Sequence, residues 1–120
     1  MTVVTFHTQG ERIVGFTVKG HTGLAEEGAD ILCAAVTSAV RLAECAVNEV
    51  LGLGAAVKVR EKDASITLKL PGSLGDTAES ACQTLLTAMM VYFAQLHVEY
   101  PDNLLVLEQE APGTASSLYV

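Results

Sequence analysis

DILCAAVTSAVRLAECAVNEVLGLG, residues Asp30–Gly54, organises the rest of the chain. Asp30 is a good N-cap type, and no proline or turn cluster interrupts the twenty residues after it, which read as one helix. Gly52 and Gly54 stop it, because glycine accepts the left-handed backbone of a helix C-terminus. Most of the circumference is apolar. Thr37, Arg41, Glu44 and Asn48 recur at spacings of four, three and four, which is one helical stripe, and Cys33 lies one turn before Thr37 on it. Cys33 therefore opens a polar face, whereas Cys45, off the stripe, reads as a buried thiol.

Outward from this helix the pattern changes from helical to alternating on both sides. Upstream, Thr2 to Thr8 is β-branched and Arg12 to Lys19 alternates, with Val14, Phe16 and Val18 on one face. "QGER" between them makes a hairpin. Downstream, Ala55 to Arg60 and Ser65 to Leu70 form a second hairpin around "EKDA", with Val57, Val59, Ile66, Leu68 and Leu70 inward. Asp76 and Glu79 form a capping-box pattern at the start of a second helix. Ala78, Cys82, Leu85, Met89, Tyr92, Phe93 and Leu96 are its core stripe, Tyr100-Pro101 ends it, and Leu104 to Glu108 is a last strand. The order is ββαββαβ, which predicts an α+β fold: a mixed β-sheet with two helices on it.

The 120 residues fit one domain, residues 1–110, followed by a small, polar C-terminal tail over 111–120 that is expected to be mobile. Half of the residues are hydrophobic and 5% aromatic, so the core is built from aliphatic side chains. Formal net charge is −7, and the linear sequence shows no basic stripe. That argues against direct nucleic-acid binding and for a basic partner. No basic-then-apolar leader and no charge-free apolar run of about 18 residues is present, so neither export nor a membrane span is expected. Three cysteines in such a chain point to thiols in a reducing compartment, hence the cytoplasm.

Cys33 gains interest from its surroundings. With Asp30 as N-cap it is the third helical residue, where unpaired N–H groups and the helix dipole favour a thiolate. His21 closes the second strand next to Gly20, and the intervening loop can return it to the helix start, where a histidine can take the thiol proton. Two other readings stand beside this one. His21 and Cys33 can be structural. Alternatively His21, Glu26, Glu27, Asp30 and Cys33 can supply metal ligands, although paired metal-ligand spacing is lacking. His7 reads as a strand-face histidine, His97 as a helix-surface one, and Cys82 as a buried core thiol.

Gly20-His21 followed by G-x-D-I-L-C-A-A-V from Gly28 to Val36 resembles the ribosomal-processing cysteine protease family, also called Prp or YsxB-like proteases. The first hairpin, the "YP" after the second helix and the closing strand also fit, so the likeness spans roughly Met1 to Glu110. The resemblance implies a cysteine endopeptidase with a Cys-His dyad and no cofactor or metal. Its substrate would be the large-subunit ribosomal protein whose N-terminal arm reaches the peptidyl-transferase centre, from which it removes a short N-terminal extension. His21 would be the base and Cys33 the nucleophile, with Gly20, Asp30 and Thr37 as supporting positions; Thr37 stands where the family commonly has serine. The family also implies a homodimer. A loop from Thr22 to Ala29 is expected to act as a lid, with Gly23 and Gly28 as hinges and Leu24, Glu26 and Glu27 meeting the substrate. The competing reading is a non-catalytic module that binds a ribosomal protein.

Overall fold

The computed structural model describes residues 1–20 and 27–111, with the backbone alone for residues 27–30. Its elements are β1 (Thr2–Gln9), β2 (Arg12–Gly20), α1 (Glu27–Glu44), β3 (Ala56–Arg60), β4 (Ser65–Lys69), α2 (Asp76–Glu99) and β5 (Leu104–Glu110). The order ββαββαβ and the α+β class are those the sequence predicts. A π-helical turn, Cys45–Val50, extends α1, and Gly52 and Gly54 follow with φ near +65°. The five strands form one sheet in the order β3-β4-β2-β1-β5. It is mixed because β5 runs parallel to β1 while the other pairs are antiparallel.

Both helices contribute to a single core on one face of the sheet. Val4, Phe6, Phe16, Val18 and Leu68 supply the sheet side, α1 adds Leu32, Val36 and Val40, and α2 adds Leu86, Phe93 and Leu96. Phe6 stands at its centre, its ring 6.1 Å from Phe16 and 6.4 Å from Phe93 in tilted arrangements. Edge-tilted rings of this kind add to the burial of their area. The stretch Ile31–Val50 is long and apolar enough to cross a membrane by length and composition. Here its Leu32, Val36, Val40, Ala43 and Val47 are buried in the core.

Several expectations change in the folded chain. The β1–β2 register shifts between His7 and Thr8, where Val14 is the extra residue on β2. The bulge switches the faces of β2, so Ile13, not Val14, joins the core cluster with Phe16. Gln83 on α2 stabilises this irregular point: its Oε1 accepts from the Ile13 N–H and its Nε2 donates to the Ile13 carbonyl, both at 2.8 Å. Asn48 clamps the start of β3 in the same way through both backbone groups of Ala55. Asn48 on the polar stripe is thus a structural clamp.

Asp76 is inside α2 and Gly75 is its N-cap, without a side-chain cap. Glu79 pairs instead with Arg12, Nε to Oε2 at 2.6 Å, so a tertiary ion pair has displaced the capping box. On α2, Leu86 is fully buried, Leu85 packs only partly, and Tyr92 is exposed. Val59, on the edge strand β3, is also exposed. Cys45 is exposed in the π-helical turn, contrary to its reading as a buried thiol, whereas Cys82 is fully buried as expected.

Candidate active site

Cys33 is half-buried on α1 and, with Val36 and Thr37, forms one wall of an open cavity of about 400 Å³. The helical spacing of four brings the Cys33 thiol and the Thr37 hydroxyl to the same side. Opposite them stands the β3–β4 hairpin, through Val59, Arg60, Glu61, Ala64, Ser65 and Ile66. Thr2, Val18 and Gly20 complete the lining. Val18, Val36, Val59 and Ile66 give the cavity apolar walls, with polar groups spaced between them. Such a surface suits an extended peptide that has apolar side chains and main-chain groups needing partners.

The hairpin side of the cavity is held in place by local bonds. The Ser65 hydroxyl donates to Asp63 Oδ1 at 2.7 Å. That bond, followed by the nearby Arg60 and Lys19 cations, holds the half-buried Asp63 carboxyl below the usual carboxylate range despite some opposing desolvation. Ala64 turns the chain with φ +52°, and its carbonyl accepts the N–H of Gly20 at 3.1 Å. Gly20 itself has φ +89°, and a Cβ there would come within 2.6 Å of the Met1 carbonyl oxygen. Only glycine satisfies both conditions. The glycine of the Gly20-His21 pair is therefore required by the backbone.

The structure places Gly20, Cys33 and Thr37 around one cavity. His21, Gly23, Leu24 and Glu26 lie outside the described residues, as does the chain after Ala111 that was expected to be a mobile tail. Asp30 is not an N-cap: α1 already begins at Glu27, so Glu27 and Gly28 belong to the helix backbone and not to a loop. Cys33 is then the seventh residue of α1, beyond the four unpaired N–H groups. Helix-end stabilisation of its thiolate, inferred from third-residue placement, does not apply at this depth. Among the described residues no cluster of three His, Cys, Asp or Glu side chains is arranged to hold a metal ion.

The other two histidines are engaged elsewhere. His7 Nε2 bonds the Thr17 hydroxyl at 2.9 Å on the sheet face away from the helices, and burial lowers its pKa. His97 Nδ1 donates to the Leu104 carbonyl. Neither lines the Cys33 cavity. The hairpin residues Arg60, Glu61 and Ser65 were missed as site residues. Nothing in their local spacing marks them, because only the fold brings the β3–β4 turn opposite α1.

A half-buried thiol and a hydroxyl face an open, largely apolar cleft in this α+β sheet fold, an arrangement that a thiol hydrolase can use. The comparisons identify the family: residues 1–105 match the family model described as cysteine protease Prp, and the chain belongs to that family. It is 32% identical over 105 residues to the ribosomal processing cysteine protease Prp of Bacillus subtilis (strain 168), covering 88% of this chain and 92% of the relative. Its fold is similar to that of an essential ribosomal processing protease Prp from S. aureus, solved in complex with a covalently linked product peptide. That match has a TM-score of 0.77 at 19% identity and covers 91% of this chain and 100% of the other. SMU.848 from Streptococcus mutans matches with a TM-score of 0.78 at 20% identity, over 92% of this chain and 96% of the other.

Proposed function

We propose that this cysteine protease removes the short N-terminal extension of a large-subunit ribosomal protein, the one whose N-terminal arm reaches the peptidyl-transferase centre, using a Cys33–His21 dyad. The observation that carries the proposal is the shared cavity of Cys33, Thr37 and Gly20, the last bonded directly to His21 in the chain. His7 and His97 bond Thr17 and Leu104 instead, which supports His21 as the base in this reading. Membership of the family and the relative's role in ribosomal processing support the substrate class.

In this reading His21 accepts the proton from Cys33 Sγ, and the thiolate attacks the scissile carbonyl carbon. The tetrahedral intermediate collapses to a thioester, and the amine leaves with the proton held by His21. Water, deprotonated by His21, then attacks the thioester, regenerating the thiol and releasing the carboxylic acid. Because Cys33 sits too deep in α1 for helix-end activation, the histidine has to supply it. The apolar walls fit an apolar extension, and the net charge of −7 suits a basic ribosomal arm. A homodimer acting in the cytoplasm completes the proposal, with exposed Leu42, Val91 and Val98 as apolar surface for the second copy.

The test is cleavage of a peptide that spans the extension boundary of that ribosomal protein. Cys33→Ala and His21→Ala are expected to abolish turnover with the fold retained by circular dichroism. Turnover by the Cys33→Ala protein would end the proposal, and near-normal turnover by His21→Ala would remove the dyad from it.

A further inference from the structure

The linear sequence shows no basic stripe, yet the fold assembles one. Of the seven Lys and Arg residues, six lie on β2, β3, β4 or the turn between β3 and β4, and Arg41 alone lies on α1. The register places four of them on one face. Arg60 pairs with Ser65 and Ser65 with Lys19; Lys58 pairs with Thr67 and Thr67 with Thr17; Lys69 pairs with Gly15. Paired residues share a face, and this is the face opposite Phe16, Val18 and Leu68. Lys19, Lys58, Arg60 and Lys69 are all exposed there. Thr17 and Thr67 hydroxyls, bonded to each other at 3.0 Å, lie between them.

No strand position on that face carries an acid among the described residues. The β1 positions in the same rows are Val3, Thr5 and His7, and those of β5 are Leu105, Leu107 and Gln109. Two acids lie close by in the turn, Glu61 and Asp63, the latter with Oδ2 4.0 Å from Lys19 Nζ; Lys62 between them compensates one, so together they offset about one cation. Lysines on an edge strand can merely prevent edge-to-edge pairing. That explains Lys58 on β3, but not Lys69 and Lys19, which are on the interior strands β4 and β2. The overall charge of −7 does not cancel the patch, because charges farther away than a Debye length of about 8 Å are screened at physiological salt.

We infer that this open sheet face is a docking surface for the phosphate backbone of RNA, independent of sequence. Side chains two residues apart on a strand repeat every ~6.6 Å, and neighbouring strands lie ~4.8 Å apart, so the four cations form a repeating lattice. A cavity of about 420 Å³ opens at one end of this face, but of the four cations only Lys69 lines it. A lattice of cations and hydroxyls fits a polymer of repeating anions that is read by charge alone. The face is distinct from the Cys33 cleft, which opens on the helix side, and Arg60 at the cleft rim joins the two. The inference does not depend on the proposed peptide substrate.

Fluorescence anisotropy of the full chain with a labelled twelve-nucleotide oligouridylate tests it. With about three phosphates neutralised, the slope of log K against log salt should be about −2, since each single-strand phosphate contributes about −0.7. The Lys58→Glu/Lys69→Glu variant should bind at least tenfold more weakly at low salt, with circular dichroism and peptide cleavage unchanged. Arg41→Glu should bind as the wild type does. Absence of salt-dependent binding by the wild type, or equal loss in Arg41→Glu, overturns the inference. So does equally effective displacement by polyglutamate or by phosphatidylglycerol vesicles at matched charge, which would make the face an acidic-peptide or a lipid surface.

Discussion

Gly20 donates its backbone N–H to the carbonyl of Ala64 at 3.1 Å, and both residues are left-handed, with φ of +89° and +52°. One bond thus ties the last residue of β2 to the turn that faces Cys33 across the cleft. Gly20→Ala should weaken this junction. The left-handed backbone alone costs about 1–2 kcal/mol for an L side chain, and the Cβ would also displace the Met1 carbonyl. The expected result is a melting temperature several degrees lower and a cleavage rate reduced by more than the unfolded fraction explains. An alanine variant with unchanged melting and turnover would show that the junction is plastic.

The three cysteines should alkylate in a defined order. Cys82 is fully buried and its thiol is pushed up, first by burial and then by the Glu79 charge, so it should label only on unfolding. Cys45 is exposed and should label at the rate of an ordinary thiol. Under the proposed dyad Cys33 should outpace Cys45 at neutral pH despite being half-buried, and His21→Ala should remove that advantage. Mass spectrometry of iodoacetamide-treated native protein reads all three sites. Equal rates at Cys33 and Cys45 would favour a binding module without chemistry.

His7 should make stability depend on pH. Burial depresses its folded-state pKa below the ordinary value of 6.5. The unfolded chain therefore binds the proton more readily, so stability is fully present above about 6.5 and is lost as pH falls through the folded value. Melting temperature should drop on acidification from pH 7 to 5.5, and part of that drop should vanish in His7→Gln. An identical drop in the variant would assign the effect to other groups.

Gln83→Ala should cost about 1–3 kcal/mol, because it strips partners from the Ile13 N–H and carbonyl at the bulge of β2. Chemical denaturation would measure it. A loss near zero would mean that water replaces the amide fully.

Element order and type were legible because period-two and helical patterns alternate without ambiguity along this chain. What was not legible depended on partners distant in sequence. The bulge at Val14 is set by pairing with β1, Glu79 left its capping role for Arg12, and Leu86 displaced Leu85 through packing. Likewise Cys33 and Thr37 could be placed on one side from their spacing, but the hairpin wall opposite them could not. The cations of the open face are scattered from Lys19 to Lys69, and only strand register gathers them.

Cys33 directly follows Leu32, which is fully buried, and precedes Val36, which is nearly so. The thiol is thus mounted on the same turn of α1 that anchors the core, and the helix cannot loosen under it without opening the interior. Heat inactivation should therefore coincide with global melting. No window of temperature is expected in which the protein is folded but its thiol has lost its position, and an inhibitor bound at the cleft should raise the melting point of the whole domain.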